Sequence, residues 1–254
     1  MSKNNEELSP LGTWKAGMPW NPVEKVIMER RSVRRFKKDP VPPDLIRRVM
    51  EAARFAPSTG NCQPWKFLVI TNPEIIAEME RDATRITKLF MFFIGYTMSK
   101  GIWRLYQKFI AKTFTMRIMP NELNAPAFLA MNQAAAGQSV YYQNAPVVII
   151  ILEDKRGVSN PSVDIGVVGQ NIVLAAHSLG LGTCWMGFTK LLTFYPSKWK
   201  KKLGLNKYPY KFGNSICLGY PASDVNHEVA REVQLVEWYE GGMKSMPRID
   251  RQGE

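Results

Sequence analysis

Cysteine and histidine are scarce in this chain of 254 residues. The three cysteines, Cys62, Cys184 and Cys217, are too widely spaced for a CxxC pair and too few for an even disulfide framework. That excludes a disulfide scaffold, favours a reducing compartment and argues against structural zinc. The two histidines are His177, inside an apolar helical run, and His227, in a polar tail; the first reads as a core residue, and neither is assigned proton transfer. Long apolar runs are missing too. The stretch Leu89 to Ser99 has 11 residues, short of the roughly 20 needed to cross a bilayer. No apolar segment follows a basic start at the N-terminus, so no secretory signal is expected and the reading is cytoplasmic. Acidic residues are the minority, 22 against 34 lysines and arginines, giving a net charge of +12 and a pI near 9.6. Such a charge attracts anions of every kind and does not choose among nucleotide phosphates, nucleic acid and acidic lipid. No helix-turn-helix, zinc-finger or RNP signature occurs, so a nucleic-acid partner is not expected.

A hydrophobic fraction of 45% with 22% charged residues places the chain among ordinary globular proteins. Asn21 and Pro22 before VEKVIMER read as an N-cap, a first-turn proline and a short helix. A second helix opens at 41–44, where Leu45, Ile46, Val49, Met50 and Ala53 form an apolar stripe. A loop over 56–61 leads to a strand at 65–71, and a nearly all-apolar strand over 147–152 reads as covered on both faces. Between them lies a mostly helical insertion, about 73–144. A buried helix over 164–179 closes at Gly180, a C′ glycine; an extended stretch follows at 182–187, then a third strand over 212–220. The C-terminal extension, about 222–254, carries one short extended segment at 233–236. The alternation of strands and helices fits one sheet sandwiched by helices. With no internal repeat and no linker, residues 1–254 are expected to form a single domain.

Three segments carry chemistry. Arg30, Arg31, Ser32 and Arg34 cluster at a helix-to-loop corner. Guanidinium forks and a compact hydroxyl suit a phosphate-bearing ligand, and a solvated basic surface is the alternative. The loop with Pro57, Ser58, Asn61 and Gln63 precedes a buried strand and offers hydroxyl and amide partners to a heteroaromatic edge; an elaborate turn is its alternative. The run Gly180 to Gly187 has three glycines, which let backbone approach a flat ligand, yet no GxGxxG follows a strand. Cys184, without a clear cationic or histidine partner, reads as a small buried residue rather than a nucleophile.

In order and spacing, RRSVRRF, APSTGNCQPWKFLVI and DIGVVGQNIVLAAHSLGLGTCWMGF together resemble the nitroreductase family of FMN-dependent flavoproteins. The resemblance covers about 22–72 and 145–237. It implies an α+β fold with a central mixed, mainly antiparallel sheet flanked by helices, built as an obligate homodimer with FMN at the subunit interface. By similarity, Arg30, Arg31, Ser32 and Arg34 would hold the phosphate, ribityl chain and pyrimidine edge. Pro57, Ser58, Asn61 and Gln63 would reach the same FMN from the other subunit. The backbone of Thr183, Cys184, Trp185, Met186 and Gly187 would line the ring near N5, and Arg231 would clamp the phosphate. The implied activity is ping-pong transfer of hydride from NADH or NADPH through FMN to a nitroaromatic or quinone-like small molecule. Alternatives within the family are a reductive dehalogenase, an ene-reductase, a flavin-modifying enzyme or a non-catalytic flavin-binding protein.

From 83 to 121 there are seven lysines or arginines and no acidic residue. Lys100, Arg104, Lys108 and Lys112 step by four along one ridge, with apolar side chains such as Trp103, Tyr106 and Phe114 on the opposite side. This basic amphipathic segment, 100–114, reads as a substrate lid, a weak membrane-surface element or a packed helix. The cluster Lys198, Lys200, Lys201 and Lys202 reads as a solvated helix end, with recruitment of an anion such as NAD(P)H as its alternative.

Overall fold

The computed structural model describes residues 19–94, 105, 125–138, 141–158, 160–223, 234–240 and 246–252. Two compact units divide the chain, 1–223 and 224–254.

In the first unit, α1 spans Pro22–Glu29 and α2 spans Pro43–Arg54. Asn21 caps α1 through Oδ1, which accepts from the amides of Val23 and Glu24, while Glu24 Oε2 accepts from the Asn21 amide at 2.7 Å. This reciprocal capping box satisfies amides that an eight-residue helix would otherwise leave open. Pro43 stands at the start of α2, and its stripe Ile46, Val49 and Ala53 is buried.

The sheet has strand order β1 (Trp65–Ile70), β2 (Val147–Asp154), β4 (Tyr210–Gly219) and β3 (Gly182–Trp185), all neighbours antiparallel. Its parallel component is an isolated bridge between Ser32 and Thr183. The central β2 is buried on both faces from Val147 to Glu153, as its apolar run requires. Gly213 is the unpaired residue where the β2–β4 register shifts; a Cβ there would stand 2.9 Å from the Ile151 carbonyl oxygen.

Helices α3 (Pro73–Ile94) and α4 (Ala125–Ala135) belong to the insertion, α5 (Pro161–Ser178) crosses the sheet, and α6 (Pro196–Leu203) follows a 3₁₀ segment over Gly187–Phe194. The start of α5 lies three residues before the expected one, because Pro161 is pre-set for a first turn. At its other end Gly180 takes φ +74°, and the Leu181 amide donates to Ala176 O while the Gly180 amide donates to His177 O. That is a Schellman closure, as the C′ glycine predicts. Val49, Ile149, Ile151, Val168, Ile172 and Leu218 sit in one core joining α2, the sheet and α5.

The lysine cluster is a solvated helix end only in part. Trp199 is fully buried, and its Nε1–H donates to Asp82 Oδ2 at 3.0 Å. Lys198 pairs with Asp82 and Glu78, and Lys202 with Glu78, so these two cations dock α6 on α3. Lys200 and Lys201 remain exposed. No helix among the described residues is long and apolar enough to cross a membrane. The basic segment 100–114 lies outside the described residues except for Leu105, which is helical and exposed.

The second unit contains the hairpin β5 (Gln234–Trp238) and β6 (Arg248–Gln252), pairing Gln234 with Gln252 through Trp238 with Arg248. The Arg248 guanidinium lies over the Trp238 ring at 5.3 Å. Arg231 and His227 lie outside the described residues.

Candidate functional site

The arginine corner is fastened to the sheet by its backbone. The Val33 amide donates to Thr183 O at 2.8 Å, and the Lys37 amide donates to Tyr220 O at 2.9 Å. Val33 and Phe36 are buried between them, so the chain from 32 to 36 runs along the free edge of β3 and the end of β4. A Cβ on Gly182 would meet Val33 Cγ2 at 2.6 Å, which explains why glycine permits this approach. Ser32 is half-buried and Arg34 exposed. Arg31 folds back, its Nη1 donating to the carbonyls of Met28 and Arg30, so it caps the last turn of α1 as well as adding charge.

Two titratable groups report the local field. Burial pushes the Cys184 thiol up, while Arg34 and Arg30 pull it down. Cys184 is thus a buried neutral thiol, as expected, although cations do stand near it. Burial lowers the His177 pKa; Glu29 opposes that shift, and Arg30 and Arg31 add to it. His177 is half-buried at the end of α5 beside the arginine corner, and not the core residue that its apolar helix suggests.

Thr183, Cys184 and Met186 are buried, Trp185 is half-buried and Gly187 is exposed. Only backbone and the Trp185 ring are therefore available to a ligand until Gly187. The Trp185 indole lies across α5 at Gly169, where a Cβ would come within 2.0 Å of Cη2. Trp185 and Asn214 line a notch of about 280 Å³ with Ser162, Ile165 and the buried Glu153, whose carboxylate is held by Lys211 at 2.8 Å and Ser162 at 2.9 Å. Below Met186 runs a chain of buried hydroxyls, Tyr142, Thr189 and Ser215. These three, with Gly169 and Asn214, were not legible as site residues: they are scattered along the chain, and the one sequence signal was glycine inside a helical run, at 166 as well as at 169.

The amide loop stands elsewhere. Pro57, Asn61 and Gln63 are exposed and Ser58 is half-buried. Asn61 and Gln63 take φ of 54° and 45°, and the turn is held by Ser58 Oγ accepting from the Gln63 amide at 2.9 Å and by Gln63 Nε2 donating to Asn61 Oδ1 at 3.0 Å. This loop enters β1, at the opposite edge of the sheet from β3. Three interstrand spacings separate the edges, about 14 Å. Along the strands, Trp65 is level with Glu153, four residues along β2 from Ile149, which is level with Ile216 and its partner Trp185; at ~3.4 Å per residue that adds about 14 Å. The structure therefore joins the arginine corner with 183–187 and sets the amide loop on the other edge.

Comparison with known proteins identifies relatives in sequence and in fold. A family model described as the nitroreductase family matches residues 27–220. The nitroreductase NfnB of Mycolicibacterium smegmatis is 26% identical over 203 residues, 78% of this chain and 82% of that protein. A nitroreductase with bound FMN from Desulfitobacterium hafniense superposes with a TM-score of 0.58 at 26% identity, covering 84% of this chain and 96% of the other. NfnB from Mycobacterium smegmatis in complex with NADPH superposes with a TM-score of 0.52 at 22% identity, covering 78% and 87%, a likeness of fold.

Proposed function

The chain belongs to the nitroreductase family, and from that premise we propose that it is an FMN-dependent oxidoreductase that moves hydride from NADH or NADPH to an electron-poor acceptor, a nitroaromatic or a quinone. The single observation that carries this reading is the arginine corner held on the edge of β3 by the Val33–Thr183 bond. It puts guanidinium groups and a serine hydroxyl next to a strand end that offers backbone and an exposed glycine. That donor set fits a mononucleotide: phosphate takes the guanidinium forks, and a flat ring takes the backbone that side chains leave open.

When bound, FMN supplies the ring nitrogen that takes up and gives back hydride. In this assignment Arg30, Ser32 and Arg34 bind the phosphate and ribityl side, and Arg31 contributes charge while capping α1. The backbone of 183–187 would line the ring, and Trp185 would close the side facing α5. The proposed order is ping-pong, with the reductant leaving before the acceptor enters.

A homodimer completes the site. Pro57, Ser58, Asn61 and Gln63 stand on the opposite sheet edge of their own chain, so a second copy can bring that loop to the arginine corner. Supporting this, α1 buries none of its residues, and Trp20, Val23, Ile27 and Met28 beside or on it are 49–66% exposed. An eight-residue helix of this kind is marginal without tertiary cover.

The test compares Arg34→Ala with Arg47→Ala. Arg47 is 81% exposed and, among the described residues, pairs with its helix neighbour Asp44 alone. Loss of a charge-assisted hydrogen bond costs about 1.5–3 kcal/mol, which is roughly 10- to 150-fold in FMN affinity. Arg34→Ala is expected to release FMN by that factor and Arg47→Ala to retain it, read by fluorescence of released flavin. Anaerobic bleaching of the bound FMN by NADH or NADPH, and its recovery with a nitroarene or quinone, tests the reaction. Equal retention in the two variants, or a colourless monomer in excess FMN, refutes the assignment.

A further inference from the structure

The buried hydroxyls beneath Met186 have a determined direction. Ser215 Oγ–H donates to Met186 O at 2.7 Å, so its only proton is spent. The 2.6 Å contact between Thr189 Oγ1 and Ser215 Oγ must then carry the threonine proton. Having given that proton, Thr189 can only accept across the 3.0 Å contact with Tyr142, whose O–H must donate. The chain therefore runs one way, from Tyr142 to Thr189 to Ser215 to the Met186 carbonyl. Tyr142, Thr189 and Ser215 are all buried, at 1%, 0% and 0% exposure. Burial pushes the Tyr142 phenol above its ordinary pKa, so the first donor keeps its proton. Hydrogen bonds aligned head to tail in a low dielectric polarise one another.

Ser215 also grips Met186 by its backbone, since the Met186 amide donates to Ser215 O at 2.7 Å. Both backbone polar groups of Met186 are thus tied to Ser215 on β4, and its carbonyl also accepts from the Thr189 amide at 3.4 Å. In a trans peptide the carbonyl and the following N–H point in opposite directions. With the Met186 carbonyl aimed into the core, the Gly187 N–H is aimed outward. Gly187 is exposed there, and the nearest atom that a Cβ would meet is Asn214 Oδ1 at 4.0 Å.

We propose that Tyr142, Thr189 and Ser215 are positioning residues, whose one-way hydroxyl chain locks the Met186–Gly187 peptide so that the Gly187 N–H is presented to the ring of the bound flavin. This rests on the FMN reading above. Buried as they are, the three residues act through the peptide and not by contact with the flavin.

The experiment uses FMN-loaded protein and the variants Thr189→Val, Ser215→Ala, Tyr142→Phe and the hydroxyl-keeping Thr189→Ser. The readouts are the midpoint potential and visible spectrum of bound FMN, with thermal unfolding recorded alongside. Thr189→Val and Ser215→Ala are expected to move the two-electron equilibrium constant at least threefold, about 14 mV for such a couple, and to shift the flavin band. Tyr142→Phe, at the far end of the chain, moves it less and in the same direction, and Thr189→Ser returns it to the wild-type value. Should Ser215→Ala fail to fold, the near-isosteric Thr189→Val decides. Wild-type potential and spectrum in Thr189→Val, with only the melting temperature changed, overturn the proposal and leave the chain a packing feature. Wild-type protein that takes up no FMN overturns the functional reading, and this inference with it; a wild-type protein that binds FMN while the variants stay silent sinks this inference alone.

Discussion

Gly169→Ala tests the placement of Trp185 through the sign of its effect. In an isolated helix the substitution stabilises, because a mid-helix glycine costs about 1 kcal/mol relative to alanine. Here the new Cβ would lie 2.0 Å from Trp185 Cη2, 2.5 Å from Cζ2 and 3.1 Å from Cζ3, all atoms of the six-membered ring. Contacts this short force the indole or the helix to move, and overpacking in a packed interior costs about 1–3 kcal/mol. A close clash on a half-buried ring belongs at the upper end. The net expectation is destabilisation by about 1–2 kcal/mol, after the gain from helix propensity offsets part of the clash. For a unit of this size about 1 kcal/mol moves the midpoint by ~2–4 °C, so the melting temperature of the apoprotein falls by about 2–8 °C. Trp185→Phe removes the ring atoms that clash. In that background Gly169→Ala should raise the melting temperature, leaving a coupling of about 2–3 kcal/mol in a double-mutant cycle. Calorimetry of the four proteins measures the cycle. A stabilising Gly169→Ala in the Trp185 background, or a coupling near zero, refutes the packing argument. Because the displaced ring borders 183–187, the single variant should also bind FMN more weakly than the double-background comparison predicts from stability alone.

Two further predictions concern the flanks of the site. Asp82→Ala leaves the buried Trp199 Nε1–H without its acceptor, a penalty of about 1–3 kcal/mol, whereas Lys198, 36% exposed, keeps Glu78 at 2.9 Å. A loss of about 2–3 kcal/mol in urea unfolding is expected, and Asp82→Asn, which keeps an acceptor oxygen, should lose less; equal losses would show that the carboxylate's charge rather than the Trp199 bond docks α6. Burial lowers the His177 pKa and so favours its neutral form in the fold. Its contribution to stability is complete above the ordinary histidine pKa of about 6.5 and disappears as pH falls through the depressed folded value. NMR of the His177 ring in apoprotein should show titration below that ordinary value, and a phosphate seated at Arg30 and Arg31 should raise it; a pKa unmoved by FMN would place the phosphate elsewhere.

The sequence announced those elements whose causes are local. Asn21, Pro22 and Glu24 specify the start of α1, the 45–53 stripe specifies α2, and an unbroken apolar run specifies the doubly covered β2. Glycine at 180 marks the end of α5 because its left-handed φ can be read from residue type. Elements whose causes are distant were less legible. Arg248–Gln252 has almost no strand pattern and becomes β6 through pairing with β5. Trp199 sits in a lysine-rich run, and its burial follows from Asp82 and Glu78, more than a hundred residues earlier.

The same distinction separates the two levels of the candidate site. Residues that would touch a ligand cluster into short segments, since a loop or strand end presents several neighbours at once, and these segments can be recognised in one dimension. Residues that hold those segments in place do so across the sheet. Ser215 lies on β4, Thr189 in the 3₁₀ segment and Tyr142 ahead of β2, and only the antiparallel order β2-β4-β3 brings the three hydroxyls into line beneath Met186. A hydroxyl at any one of these positions is unremarkable in isolation. Its proton has a fixed destination only because the other two acceptors are already assigned, so the orientation of the Gly187 N–H is a property of the fold and not of the motif that contains it.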